Sequence, residues 1–277
     1  MRHPARRIAV LGCLLALVAG CSSATDNGAS STTPATRTSG AATTGRTTTP
    51  ASPASGPEAA VAAALARMDR RAQVAQLFVA GVRLDHLSAG TQLAENGVGG
   101  IFLAGRSQTA ATDLGATVAR WQSAAPGPGL WVAADQEGGN VQTLRGPGFA
   151  VLPTAQAQGA LPQPQLAGLA DGLGAALKTA RVNLDLAPVA DVVPAGTEQA
   201  NPPIGVFARQ YGSTPDVVVA AAGTIVGGLA THGVTSTLKH FPGLGRVQQN
   251  TDTSANVIDR ITTAGDAQVA AFGRLAA

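Results

Sequence analysis

Apolar runs with no polar face alternate along this chain with amphipathic stretches, and that alternation restricts the available folds more than any other feature. From residue 57 onward the runs are LFVAGV (77–82), VGGIFLAG (98–105), LWVAAD (130–135), VNLDLAPVAD (182–191) and VTSTLKHF (234–241). A strand that is apolar on both faces must be covered on both, so the runs imply a parallel sheet under helices, an α/β fold. The intervening segments carry helix punctuation. Asp69 is placed as an N-cap, and Ser88 caps and Gly97 stops the segment SAGTQLAENG. Leu114, Val118 and Trp121 stand at helical spacing, as do Leu166, Leu169, Leu173 and Leu177. Thr214 and Pro215 take the N-cap and N1 positions of a further helix, which Gly233 ends.

Two architectures accommodate this pattern: an open doubly wound sheet and a (β/α)8 TIM barrel. No G-x-G-x-x-G or G-x-x-x-x-G-K-[ST] follows any run, which removes the main support for a nucleotide-binding open sheet. Polar residues do gather at the carboxyl ends of the runs: Arg106, Asp135, Asp191, and Lys239 with His240. In a barrel those ends open onto one face, where barrel enzymes place their sites.

The first 56 residues read differently. Arg2, Arg6 and Arg7 precede the apolar run IAVLGCLLALVAG (8–20), the pattern of an export leader over residues 1–20 and too short for a stable membrane span. LVAGC, ending at Cys21, resembles the lipobox of bacterial lipoproteins, in which the cysteine becomes the lipidated first residue; a plain secretory cleavage site is the alternative. Lipidation would anchor the chain to the outer side of a membrane, in the cell envelope. Residues 21–56 are rich in Ser, Thr, Ala and Pro with almost no large apolar side chain, a composition that reads as a disordered tether. The folded domain is expected over 57–277. Cys13 would leave with the leader, so the mature chain has no partner for a disulfide. The formal charge of +3 falls to about zero without the three leader arginines, which leaves no polybasic case for nucleic acid. His86 and His232 show no partner pattern, and no spacing points to a metal or other cofactor.

GVGGIFLAGR, VAADQEGGNVQ, VNLDLAPVADV and KHFPGLGR resemble, in order and spacing, segments of glycoside hydrolase family 3 in its single-domain β-N-acetylglucosaminidase branch. The resemblance runs from about residue 73 to the end of the chain, and DQEGG together with KHFPG is its most specific part. It implies a (β/α)8 barrel that removes a terminal N-acetylglucosamine with retention of configuration, acting on cell-wall glycans. By the same resemblance, Asp135 would hold sugar hydroxyls, Lys239 and His240 would grip the same sugar, and Arg209 in ARQYG would match the family's sugar-site arginine. The residue types suit the task, since a carboxylate accepts from adjacent hydroxyls while an ammonium and an imidazole donate. Neighbouring residues on a regular strand point to opposite faces, so a strained or cis peptide is expected around residues 239–241. Glu137, Asp185 and Asp191 read as structural support.

The chain also departs from the family. Retaining glycosidases use two groups about 5–5.5 Å apart, a nucleophile and an acid/base. Where the branch carries its acid/base segment Asp-Ser-His, this chain has Asn250, Thr251 and Asp252, so Asp252 becomes the candidate acid/base, provided apolar surroundings raise its pKa. The family's GHG is GLG here, with Leu244. Thr143 stands where the family has a sugar-contacting arginine, and Arg145 is the nearest substitute. About five of eight strand–helix units are visible, so the resemblance places the nucleophile beyond this sequence. The chain is accordingly expected to be an incomplete form, unstable or inactive without the remainder. An alternative class is a non-catalytic glycan-binding lipoprotein or a decayed gene product.

Overall fold

The computed structural model describes residues 56–277. The expected leader, Cys21 and nearly all of the expected tether lie outside the described residues. Two short helices, α1 (Pro57–Ala66) and α2 (Arg70–Ala75), precede the sheet. Asp69 caps α2 as expected, its side chain accepting from the Ala72 N–H at 2.7 Å.

The sheet then grows one strand at a time. In chain order come β1 (Val79–Arg83), α3 (Ala89–Glu95), β2 (Gly100–Ala104), α4 (Ala111–Ala124) and β3 (Trp131–Ala134). A small antiparallel hairpin, β4 (Gln136–Gly138) with β5 (Val141–Gln142), leads through α5 (Ala155–Gly159) and α6 (Gln163–Thr179) to β6 (Leu184–Asp185). Helix α7 (Pro215–Thr231), β7 (Thr235–Ser236) and α8 (Ala267–Ala276) complete the described chain. The five parallel strands lie side by side as β1-β2-β3-β6-β7, the order in which they occur in the chain. A doubly wound sheet reverses strand order at a switch point; this one does not, and it forms five successive strands of a (β/α)8 barrel wall.

Register explains the burial. Val82 pairs with Leu103 and Ala80 with Ile101, which sets Val82, Leu103 and Ile101 on the face toward the helices, where all three are buried. They meet Leu114, Val118 and Trp121 from α4, Leu166, Leu173 and Leu177 from α6, and Val218, Ile225 and Leu229 from α7. Each such side chain contributes about 1.5–3 kcal/mol of transfer free energy, so the helix-covered face is the main source of stability. Thr214 caps α7 with Pro215 at N1, and Gly97 and Gly233 take the positive φ (72° and 73°) that ends a helix. Ser88 holds the N-cap position of α3 without a side-chain hydrogen bond.

Strands β6 and β7 are far shorter than the apolar runs 182–191 and 234–241. Pro188 lacks an N–H to offer the ladder, and beyond β6 the pairing survives as a bridge between Val189 and Lys239. The chain is thereby free of regular pairing just where its polar residues begin. The β4–β5 hairpin, built from DQEGGNVQ, has no counterpart in the sequence reading, because the segment lacks strand-like alternation.

Helix α4 crosses the end of α6 at Gly115, where an added Cβ would overlap the Thr179 carbonyl oxygen. Gly115→Ala is expected to lower stability by about 1–3 kcal/mol through this overlap, despite the better helix propensity of alanine. Thermal unfolding followed by circular dichroism checks it; an unchanged or raised midpoint would contradict the close packing.

Candidate functional site

The strand ends bring together side chains far apart in sequence. Asp135 follows β3, Glu137 sits on β4, Lys239 follows β7 opposite Val189, and Arg209 follows the 3-10 turn Gly205–Phe207. Lys239 Nζ donates to Asp135 Oδ1 at 2.6 Å and lies 2.7 Å from Glu137 Oε1. Arg209 grips Glu137 with two parallel bonds, Nε to Oε2 at 2.9 Å and Nη2 to Oε1 at 2.7 Å, while its Nη1 donates to the Pro203 carbonyl at 2.9 Å. Such a fork is the strongest form of this ion pair. His240 Nε2 stands 3.4 Å from Arg209 Nη2, and its Nδ1 is 2.6 Å from Asp191 Oδ2.

These six residues form one connected set with a floor and a rim. The side chains of Glu137 (3% exposed) and Asp191 (0%) are the floor, while Asp135 (27%) and His240 (28%) are the parts most open to solvent. A ligand thus meets a carboxylate and an imidazole, with the ammonium and guanidinium just beneath. Asp135, Arg209, Lys239 and His240, singled out in the sequence, are all here. The expected departure from extended backbone is also present, since the Lys239–His240 and Phe241–Pro242 peptide bonds are cis.

Two other candidates stand apart. Arg145 donates through Nε to the Gln142 carbonyl at 3.0 Å and through Nη2 to the Gly139 carbonyl at 2.7 Å. Its guanidinium ties the β4–β5 hairpin together and does not join the ionic set. Asp252 is exposed, on the loop beyond Leu244, and its backbone N–H donates to Asn250 Oδ1 at 2.8 Å. No hydrogen bond or ion pair among the described residues links its carboxylate to the set, and the apolar enclosure required of a carboxylic acid/base is not around it. His86 and His232 do have partners, Asp85 at 2.9 Å and Asp171 at 2.8 Å, but neither pair joins the set. The residue whose role the sequence understated is Glu137, which serves Arg209 and Lys239 and not merely its own loop. Its adjacency to Asp135 in DQEGG was the available signal.

Charge balance sets the proton affinities. Burial pushes the Glu137 carboxyl up, but hydrogen bonding from Arg209 and the charges of Lys239 and Arg209 outweigh it and hold the group below its ordinary value. Asp185, at the end of β6, goes the other way: burial pushes it up to about 7, against a single backbone hydrogen bond from Gln136, and its Oδ2 has no partner among the described residues. Among the described residues no three His, Cys, Asp or Glu side chains are grouped to hold a metal ion.

A barrel-ordered sheet whose strand ends converge on carboxylate, ammonium, guanidinium and imidazole groups defines a barrel domain with its polar site at the carboxyl ends of the strands. Residues 70–269 match the glycosyl hydrolase family 3 N terminal domain, and the chain belongs to that family. It is 34% identical over 245 residues to the beta-hexosaminidase LpqI of Mycobacterium tuberculosis, an alignment covering 87% of this chain and 58% of LpqI. A beta-hexosaminidase of Stenotrophomonas maltophilia is 36% identical over 170 residues, covering 57% of this chain and 47% of that protein. Among solved structures, the beta-N-acetylhexosaminidase of Beutenbergia cavernae superimposes with a TM-score of 0.71 at 44% identity, over 75% of this chain and 64% of that one. The chain thus spans a little over half the length of LpqI.

Two variants test the electrostatics. Glu137→Gln leaves Arg209 and Lys239 facing a neutral amide and is expected to cost about 3–5 kcal/mol in urea unfolding; a loss under about 0.5 kcal/mol would contradict the buried network. For Asp185 the folded-state proton affinity is raised from an ordinary 3.8 to about 7, so the native chain holds a proton that the unfolded chain has released. Stability is therefore fully present below about pH 4 and declines as pH rises toward 7. Asp185→Asn removes that decline, so the variant gains on the parent between pH 5 and pH 8 in parallel melts; equal pH profiles would contradict it.

Proposed function

We propose that this chain is the sugar-binding part of a retaining exo-β-N-acetylhexosaminidase that releases terminal N-acetylglucosamine from cell-wall glycans. The observation that carries the reading is the convergence of Asp135, Lys239, Arg209 and His240 at one end of the sheet. Sugar recognition needs acceptors and donors fixed within a few ångströms of one another, and here Lys239, Arg209 and His240 are each held by a buried carboxylate and Asp135 by Lys239. Asp135 accepts from one or two hydroxyls, Lys239 supplies donors, and Arg209 supports both by holding Glu137. The names of the relatives, beta-hexosaminidase and beta-N-acetylhexosaminidase, support the N-acetylated sugar. The lipobox-like LVAGC supports a lipoprotein anchored through Cys21 on the outer side of the membrane, where cell-wall glycans lie.

For the chemistry we propose Asp252 as the acid/base, a role that requires the loop after Leu244 to carry it from its exposed position into the set. A second reading, glycan binding without turnover, is favoured by one observation: Asp135, Glu137 and Asp191 are each engaged by a lysine, an arginine or a histidine, so none stands free as a nucleophile.

Titration of the purified chain with N-acetylglucosamine, and turnover of a chromogenic N-acetyl-β-glucosaminide, separate these readings. Binding with turnover supports the hydrolase, and binding alone supports the second. Lys239→Met is expected to weaken binding at least tenfold at some cost in stability, so affinity is read on material that circular dichroism shows to be folded; an unchanged affinity would refute the sugar site. In a form of the protein that turns over substrate, Asp252→Asn is expected to lower kcat tenfold or more with little change in KM; full activity would dispose of the Asp252 assignment.

A further inference from the structure

Asp191 is fully buried, yet its carboxylate takes three hydrogen bonds, all from the loop that bears His240. Oδ2 accepts from His240 Nδ1 at 2.6 Å, and Oδ1 accepts from the backbone N–H groups of His240 at 3.3 Å and Leu244 at 2.7 Å. An ionised carboxylate only accepts, so the ring hydrogen at this contact sits on Nδ1. The opposite ring nitrogen meets Arg209 Nη2 at 3.4 Å. A guanidinium only donates, so Nε2 presents a lone pair. These two partners, one on each side of the ring, assign the tautomer by elimination.

We infer that Asp191 is a positioning residue that fixes His240 as its Nδ1–H tautomer and so leaves on Nε2 a lone pair that a sugar hydroxyl, beside the donor Lys239, takes over from the long 3.4 Å contact with Arg209. The sequence alone casts both members of the Lys-His pair as donors. The structure makes them complementary, one giving and one receiving, which two adjacent sugar hydroxyls can satisfy together. The bond from Leu244 adds a second consequence. One carboxylate holds both the ring and the start of the loop that leads to Asp252, so the grip on the sugar and the path of that loop share an anchor. The identity of the ligand rests on the sugar-binding reading above, whereas the tautomer does not.

The test uses the full chain labelled with 15N-histidine, with NMR two-bond couplings recorded near pH 8, above the ordinary histidine pKa of about 6.5. His240→Gln identifies the signal. The wild-type ring is expected to carry its hydrogen on Nδ1 alone, and hydrogen on Nε2 would overturn the inference. Asp191→Asn is nearly isosteric and keeps an acceptor oxygen for the two backbone N–H groups, but turns an amide donor toward the ring. It is expected to move the hydrogen to Nε2 and to weaken N-acetylglucosamine binding tenfold or more. Retention of Nδ1–H in that variant, or reversal with no change in affinity, overturns the positioning role. Asp191→Glu, which keeps an acceptor, is expected to restore Nδ1–H and part of the affinity; a folded Glu variant lacking Nδ1–H also counts against the inference. A wild-type chain with the expected ring that binds no N-acetylglucosamine refutes the sugar reading instead, and leaves the ring assignment decided by the NMR result.

Discussion

The ammonium of Lys239 lies between two carboxylates, Asp135 and Glu137, one of which Arg209 also clasps from the far side. Three separate stretches of chain, the end of β3 with its hairpin, the turn at residues 205–209 and the segment after β7, are held in one place by this contact. None of the charges could be buried alone, because desolvating an isolated ion costs more than the fold can supply. Each makes the next tolerable: Glu137 offsets Arg209 and Lys239, and Lys239 offsets Asp135. Asp191 extends the set by pairing with His240. The sheet beneath is ordinary in its energetics, with helix-covered apolar faces, and its role is to deliver these groups at matching heights.

That arrangement explains why a site of this kind suits a sugar. A monosaccharide offers hydroxyls that both give and accept hydrogen bonds, spaced around a rigid ring, and little charge. The rim here presents an acceptor, a donor and an imidazole whose far nitrogen is already committed. Because each rim group is already held by a neighbour, less side-chain freedom is lost on binding. Asp185 lies under this region with an unpaired oxygen and a raised proton affinity, so the floor retains a proton up to near neutrality and adds no full negative charge to the crowded carboxylates.

The fold was legible where local rules act. Alternation of apolar runs and helices predicted the parallel strands, and Asp69, Thr214, Pro215, Gly97 and Gly233 marked helix ends through geometry that depends on neighbours alone. Strand length was not legible, because the loss of pairing beyond β6 depends on which chain lies alongside. Of the four residues proposed to seat the sugar, Asp135, Lys239 and His240 were singled out by resemblance and by their place at strand ends, and Arg209 by resemblance alone. Glu137 and Asp191 were read as support without their partners, since Glu137 meets Arg209 across 72 residues and Asp191 meets His240 across 49. Only folding supplies such distances. Asp252 shows the converse: its position in the loop pattern recommended it, and its exposed setting could not be inferred from composition.

The central claim is that this ionic set is a seat for one N-acetylated sugar. A crystal structure of the chain with bound N-acetylglucosamine tests it most directly. The sugar should sit over Lys239 with hydroxyls within about 3.2 Å of Asp135, Lys239 and His240. A sugar bound on another surface, with the Asp135–Lys239–Glu137–Arg209 set intact and empty, would contradict the account.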